Sequence, residues 1–357
     1  MRLTRIVPTL LRLPRERAVA LPLAGQSAAA VPLTVLLVQL ETDAGVAGIG
    51  FGCVVGSGRA MVAAIEDDLA PRLAGEDPLL HERLGAMVRS IDGAAYAFID
   101  IALWDLKARA AGLPLWRLLG GLRDRAKVFS AEAGSASLNT ADTIALGRAA
   151  LARGIKGVRI GVPGIDPEAD SQKILAVRDA LGEDIWFAVS VAERYDYETA
   201  LPMGRFIEEE VGADWFEDPL ADGDVTSYSR LSSRIDTPLA VGGNYASTDQ
   251  FVRMLESGTR AILRPDVLNV GGITPWLKIA ALAELNHRPV VPHLLPEVGV
   301  HLACGLPGVQ AAEFVPWLDP LFVEPLAIEN GSLVPPIKPG LGLEPIPEAL
   351  TRYGIEH

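Results

Sequence analysis

Six ionisable or hydroxyl-bearing residues fall at or near the ends of short apolar runs in the second two thirds of this chain: Glu132, Ser190, Glu217, Asp266, His293 and Glu313. Carboxylates and an imidazole converging on one point make an acid–base site, in which one group takes a proton and another returns it. Any one of them alone reads as a surface residue satisfied by loop backbone, but the set at regular spacing points to a functional site. Asp266 and His293 end neighbouring runs, so the carboxylate is expected to hold one imidazole nitrogen and leave the other as a base working near neutral pH. The remaining histidines compete poorly. His81 and His357 read as solvated, His287 as a helix cap before Arg288 and Pro289, and His301 as the start of a short helix.

The runs that carry these residues are AKVFSA, IKGVRIG, IWFAVSV, ADWFE, PLAVGG, AILRPD, PVVPH and VQAAEF. They alternate with amphipathic segments of helix length, and their ends lie mostly about 20 to 30 residues apart, the length of a βα unit. Eight such units in succession predict a closed parallel barrel, whose chemistry sits at the C-terminal ends of the strands. Ahead of them, VLLVQLETDAGVAGIGFG predicts a hairpin turning at Asp43 to Gly45, and residues 61 to 112 carry helical periodicity ended by Gly112 and Pro114. The expected fold class is α/β, with an α+β capping domain over residues 1–122, a barrel over 123–318, and a proline-rich C-terminal segment, 319–357, returning to the cap.

The composition narrows the function classes. Of 357 residues 49% are hydrophobic and 22% charged, which excludes a disordered chain. Lys and Arg number 32 against 45 Asp and Glu, and the resulting charge of -13 repels phosphate backbones and anionic lipid. Neither nucleic acid nor membrane is an expected partner. Cys53 and Cys304 are the only cysteines, which rules out a disulfide framework or thiolate metal site and suits a reducing, cytoplasmic location. Arginines interrupt MRLTRIVPTLLRLPRER, so no secretory signal is expected, and Pro22, Gly25 and Pro32 break the uncharged stretch that follows into a loop feeding a strand at Leu33 to Leu40.

Taken in order and spacing, IDIALWDLKARAAGLPLWRLLGG, GIKGVRIG, WFEDPL, PLAVGGN, RPDVLNVGGIT, VVPH with VGVHLA, and PGLG resemble the enolase superfamily, in its mandelate racemase/muconate lactonizing enzyme-like group, over nearly the whole chain. The resemblance implies a modified (β/α)7β TIM-type barrel under an α+β cap completed by the C-terminal tail, commonly in a homo-oligomer. It also implies removal of the proton α to a carboxylate, with magnesium stabilising the enediolate. The family's metal ligands end the third, fourth and fifth strands, where this chain has Ser190, Glu217 and Gly243, and Ala192 replaces the asparagine of the third-strand motif. One carboxylate and a hydroxyl suit a hard cation poorly, so no cofactor is expected beyond weak magnesium binding through Glu217. The second-strand lysine pair of the racemases is Arg159 and Gly161 here, and an arginine is a poor proton acceptor.

The expected function is therefore a metal-independent acid–base enzyme, an isomerase or a lyase of dehydratase type, working on one face of a small-molecule carboxylate. His293 and Asp266 are the expected catalytic residues. Arg159 is expected to hold the substrate's carboxylate or to pair with Glu217, with Glu313, Glu217, Ser190, Asn244, Glu132 and Tyr195 around the substrate. The alternative is a non-catalytic small-molecule-binding or scaffold protein on a degenerate fold. The segment Ala18 to Ala30, which by the family's architecture covers the pocket, favours a substrate less polar than a sugar acid.

Overall fold

Alternating apolar side chains build a three-stranded antiparallel sheet from β1 (Leu3–Leu13), β2 (Leu33–Thr42) and β3 (Ala47–Cys53). The β2–β3 turn falls where the sequence predicts it, with Gly45 at φ 73°, a left-handed conformation that glycine adopts without strain. β1 is not anticipated from the sequence. Its arginines hide the alternation, yet Arg5 and Arg12 point to solvent from an edge strand that also tolerates Pro8. The computed structural model describes residues 1–14 and 32–355, so the Ala18 to Ala30 segment and His357 lie outside the described residues.

The helix Gly93–Ala110 packs its apolar residues on β2 and β3 and is capped by Asp92, whose side chain accepts from Ala95 N. Two buried carboxylates on it fasten the cap to the rest of the chain. Asp100 accepts from Thr274 N at 2.8 Å and Thr274 Oγ1 at 2.7 Å, and burial raises its pKa to about 6. Asp105 accepts from Ile49 N at 2.9 Å, Leu341 N at 2.6 Å and Arg109 Nε at 2.8 Å, joining cap sheet, cap helix and tail. The tail also bridges Leu11 to Gly354 and Pro114 to Gly340. His301 binds the same seam, accepting from Trp116 N at 3.2 Å and donating to Leu341 O at 3.1 Å. His81, expected to be solvated, is buried with its ring edge-on to Trp104 at 4.8 Å.

Six parallel strands follow in sequence order: β4 (Ala126–Ser130), β5 (Gly157–Gly161), β6 (Trp186–Ser190), β7 (Trp215–Glu217), β8 (Leu239–Val241) and β9 (Ala261–Leu263). β10 (Ala312–Phe314) returns to pair with β4 in parallel. The expected seventh strand, PVVPH, makes only isolated bridges, Leu263 to Val290, Asp266 to His293 and Val290 to Val309. Pro289 and Pro292 lack the N–H groups that a full ladder needs. Those bridges still close the ring, so the barrel architecture holds. The hairpin of β11 (Ala327–Glu329) and β12 (Ser332–Val334) adds antiparallel to β4.

Inside the barrel, Phe129, Ala188, Trp215, Ala240 and Val291 form one apolar layer, with the Trp186 and Trp215 rings 4.3 Å apart. Period-two alternation sets polar side chains on the strand ends above this floor. Among the described residues no helix is long and apolar enough to cross a membrane.

Candidate active site

Above the aromatic floor lie two arginines and two glutamates, all buried. Arg159 donates Nε to Glu217 Oε1 at 2.7 Å, and Arg264 donates NH1 to Glu217 Oε2 at 2.8 Å and NH2 to Glu313 Oε2. Trp215 Nε1 adds a third donor to Glu217, at 3.1 Å. The Arg264 guanidinium stands 5.1 Å from the Trp215 ring and 5.4 Å from the Phe129 ring, so the floor stabilises it from below. The four charges sum to zero, which is how a barrel interior tolerates them. Burial alone would raise both glutamates, but Arg159 and Arg264 hold Glu217 below its ordinary value, and Arg264 and His293 hold Glu313 well below it.

His293 sits on this layer. Its Nδ1 lies 3.0 Å from Glu313 Oε2 and 2.8 Å from Arg264 NH2. A guanidinium only donates and a carboxylate only accepts, so Nδ1 serves one of them. Because Arg264 NH2 already donates to Oε2, both side chains meet the same oxygen. The consistent assignment puts the proton on Nδ1, donated to Glu313, with Nε2 left as the acceptor. Nε2 turns toward Gly243: a Cβ there would lie 3.0 Å from His293 Cδ2, 3.2 Å from Nε2 and 3.3 Å from Asp218 Oδ2. A side chain at 243 would therefore press on the imidazole, which would have to yield by a few tenths of an ångström. Gly243→Ala is expected to push the ring aside, lowering kcat/KM at least tenfold while costing about 1–3 kcal/mol of stability, the usual penalty of overpacking. Steady-state kinetics and a urea titration check both numbers.

Asp266 does not hold the imidazole, contrary to expectation. Backbones pair at Asp266 and His293, but the Asp266 carboxylate accepts from Leu268 N at 2.7 Å and Asn269 N at 3.4 Å, capping its own loop. Glu313 takes the orienting role. Burial raises Asp266 from its ordinary value, with His293 opposing the shift. Asp218, close to Nε2, is pushed up to about 7 by burial and by the charges of Glu217 and Glu193.

A cavity open to solvent lies between the barrel and the end of β3. His293, Asp266, Asn244, Asn269 and Glu297 supply its polar wall, against Val54, Leu268, Leu295 and Trp317. No lysine or arginine lines it among the described residues. Arg159 as the substrate's carboxylate anchor is thus corrected: its donors go to Glu217, to Ser190 Oγ at 3.1 Å and to Gly134 O at 3.5 Å. Glu217, Ser190 and Glu313 lie beneath the cavity as its support, apart from its lining. Glu132 is turned away to Arg153 and Ser130. Tyr195 donates to Asp170 Oδ2 at 2.7 Å and is likewise remote from the cavity lining. Asn244 does line it, with Nδ2 donating to Glu193 at 2.8 Å. A side chain at Gly161 would strike Gly134 O and come within 2.9 Å of Ala136 N, so the second-strand position has no room for a base.

Arg264, missed from the sequence, stands two residues before Asp266 and so on the same side of the strand, which was the available signal. Five of the seven non-glycine residues with positive φ among those described cluster at the strand ends: Ala192, Glu193, Asp218, Leu294 and Leu295. Backbone held in this region is strained, as it often is at functional sites.

Family models match both parts of the chain: "Mandelate racemase / muconate lactonizing enzyme, N-terminal domain" over residues 11–120 and "Enolase C-terminal domain-like" over 142–349. L-talarate/galactarate dehydratase of Salmonella typhimurium is 33% identical over 331 residues, covering 90% of this chain and 82% of that protein. The structure of L-talarate dehydratase from Polaromonas sp. JS666, complexed with Mg and L-glucarate, superposes with a TM-score of 0.88 at 31% identity, covering 99% of this chain and 98% of that one. A racemase from Streptomyces coelicolor with bound magnesium gives 0.91 at 26% identity, with 99% and 100% covered.

The magnesium in these relatives contradicts the expectation that this chain has no cofactor beyond weak magnesium binding through Glu217. The donors of this chain nevertheless fit the ion poorly. Both Glu217 oxygens are taken by arginines, Ser190 accepts from Arg159, and no group of three or more His, Cys, Asp or Glu able to hold a metal occurs among the described residues. With both parts matched and a relative at 33% identity along most of its length, this chain belongs to the mandelate racemase / muconate lactonizing enzyme family of the enolase superfamily.

Proposed function

We propose that this protein is a lyase of dehydratase type acting on hydroxylated carboxylic acids of the aldonic and aldaric kind, with His293 Nε2 taking the proton from the carbon α to the carboxylate. The observation that carries the reading is the histidine itself, its Nδ1 tied to Glu313 and its Nε2 facing a cavity bordered by Asp266. When Nε2 takes a proton, the imidazolium keeps an anionic partner at Nδ1, and Arg264 keeps that partner ionised and in place. The dehydratases of talarate and galactarate among the relatives support the substrate class. Asn244, Asn269 and Asp266 suit hydroxyl groups, which favours a polar substrate over the apolar one suggested by composition.

Water loss is favoured over two-base racemisation by the opposite face, where Gly161 has no room for a base and Arg159 is fully paired. Galactarate, L-talarate, arabinonate and D-galactonate incubated in deuterated water and followed by proton NMR test the reading. At least one is expected to lose its C2 proton signal and give a 2-oxo acid. Tight binding with no reaction across the panel would favour the non-catalytic alternative.

A further inference from the structure

Glu297 lies in the first turn of the helix Pro296–Gly305, is 3% exposed and lines the same cavity as His293. Its Oε2 has no hydrogen-bond partner among the described residues. The other acidic residues of this region have cations or N–H donors: Glu217 two arginines and an indole, Glu313 Arg264 and His293 at Oε2 although its Oε1 has no partner, and Asp266 two backbone N–H groups. A buried carboxylate without a cation is costly, whereas a buried carboxylic acid needs only an acceptor for its proton. No lysine or arginine of the described lining supplies the cation. An oxygen of a bound hydroxy acid would supply the acceptor.

We propose that Glu297 is the acid partner of His293, protonated in the resting site and donating its O–H to the hydroxyl that leaves. The proposal rests on the dehydratase reading above. His293 Nε2 takes the C2 proton, and the C2–H electron pair becomes the C2=C3 bond. The C3–O bond breaks with its pair on oxygen, and the Glu297 proton completes a water molecule. The enol then ketonises in solvent, and the imidazolium and the carboxylate regain their starting states by net transfer of one proton through water. Atoms and charge balance with no further reactant. Burial pushes the Glu297 carboxyl up to about 8, with Asp319 adding to the shift and the residue's own backbone N–H opposing it. Among the described residues the titratable groups facing it are Asp319 and, in the cavity lining, His293, Asp266 and Cys53.

Glu297→Gln keeps the shape and a neutral donor but removes the proton. Three readouts on the full-length protein test the assignment. The infrared difference spectrum between wild type and Glu297→Gln at pH 7 is expected to show a protonated-carboxyl band that titrates away near pH 8, the value set by burial. Galactarate binding, followed by calorimetry, is expected to weaken above about that pH in wild type and to stay level in the variant. The variant's kcat is expected to fall about 10²-fold or more with KM within a few fold, and the falling alkaline limb of the pH profile to disappear. An ionised carboxylate at pH 7, or a variant with the same pH dependence as wild type in binding and turnover, overturns the proposal. If wild type turns over nothing in the panel, the dehydratase reading fails instead, and with it the acid role, while the infrared band still decides whether Glu297 is protonated.

Discussion

His293→Asn lowers kcat by about 10²–10⁴-fold, the range expected for loss of a positioned acid–base group, with KM and the unfolding midpoint nearly unchanged. The asparagine amide can still donate to Glu313 Oε2, which now receives the His293 Nδ1 proton at 3.0 Å, so the charged layer below survives. What disappears is Nε2, the acceptor facing the cavity beside Gly243. Steady-state kinetics on whichever acid of the panel reacts, with circular dichroism to confirm the fold, measures the effect. Turnover within a few fold of wild type would make the histidine a packing residue.

Arg264→Met has the largest expected effect on stability. It removes a buried cation from between Glu217 and Glu313 and leaves two buried carboxylates facing Arg159 alone. Breaking a buried pair in this way costs about 3–5 kcal/mol, read by urea denaturation at pH 7. The pH dependence follows from the sign of the shift. Burial, the largest single influence, would raise the folded-state pKa of Glu313, but Arg264, His293 and Arg159 together outweigh it and hold the pKa below the ordinary value. In wild type the residue therefore adds stability that is present above the ordinary carboxylate range and lost as pH falls through the folded value. Without Arg264 the carboxyl protonates readily in the folded state, so the deficit of the variant shrinks as pH falls. Arg264→Met/Glu313→Gln is expected to recover about half of the loss or more at pH 7, because no uncompensated charge then remains at 313.

The barrel was legible because βα spacing is set by chain geometry. Eight runs at that spacing leave few alternatives, and seven of them form strands, the last, β10, closing the ring. β1 was not legible, since exposed arginines on an edge strand erase the alternation that marks a half-buried one. Strand adjacency correctly brought Asp266 beside His293 at the backbone, but adjacency does not say which way a carboxylate turns. Asp266 turned to two N–H groups of its own loop, and Glu313, across the ring, took the imidazole. Arg159 and Glu217 were read as a possible ion pair from the loss of their usual neighbours, and the pair is there at 2.7 Å. Glu297 gave no signal in sequence, because its burial depends on how a helix meets the mouth of the barrel. The magnesium of the relatives marks the limit of arguing from single positions: Ser190 and Gly243 are departures at two sites, while the fold they sit in is one that holds the ion elsewhere.

The central claim is that one base, His293, works on one face of the substrate. Galactonate and its C2 epimer talonate, incubated separately in deuterated water and followed by proton and deuterium NMR, test it most directly. One epimer is expected to lose its C2 proton, through water loss or exchange with retention, while the other stays inert and neither converts into its partner. His293→Asn is expected to be silent on both. Interconversion of the two epimers, or exchange that persists in His293→Asn, would contradict the claim by requiring a second base that the site as described does not hold.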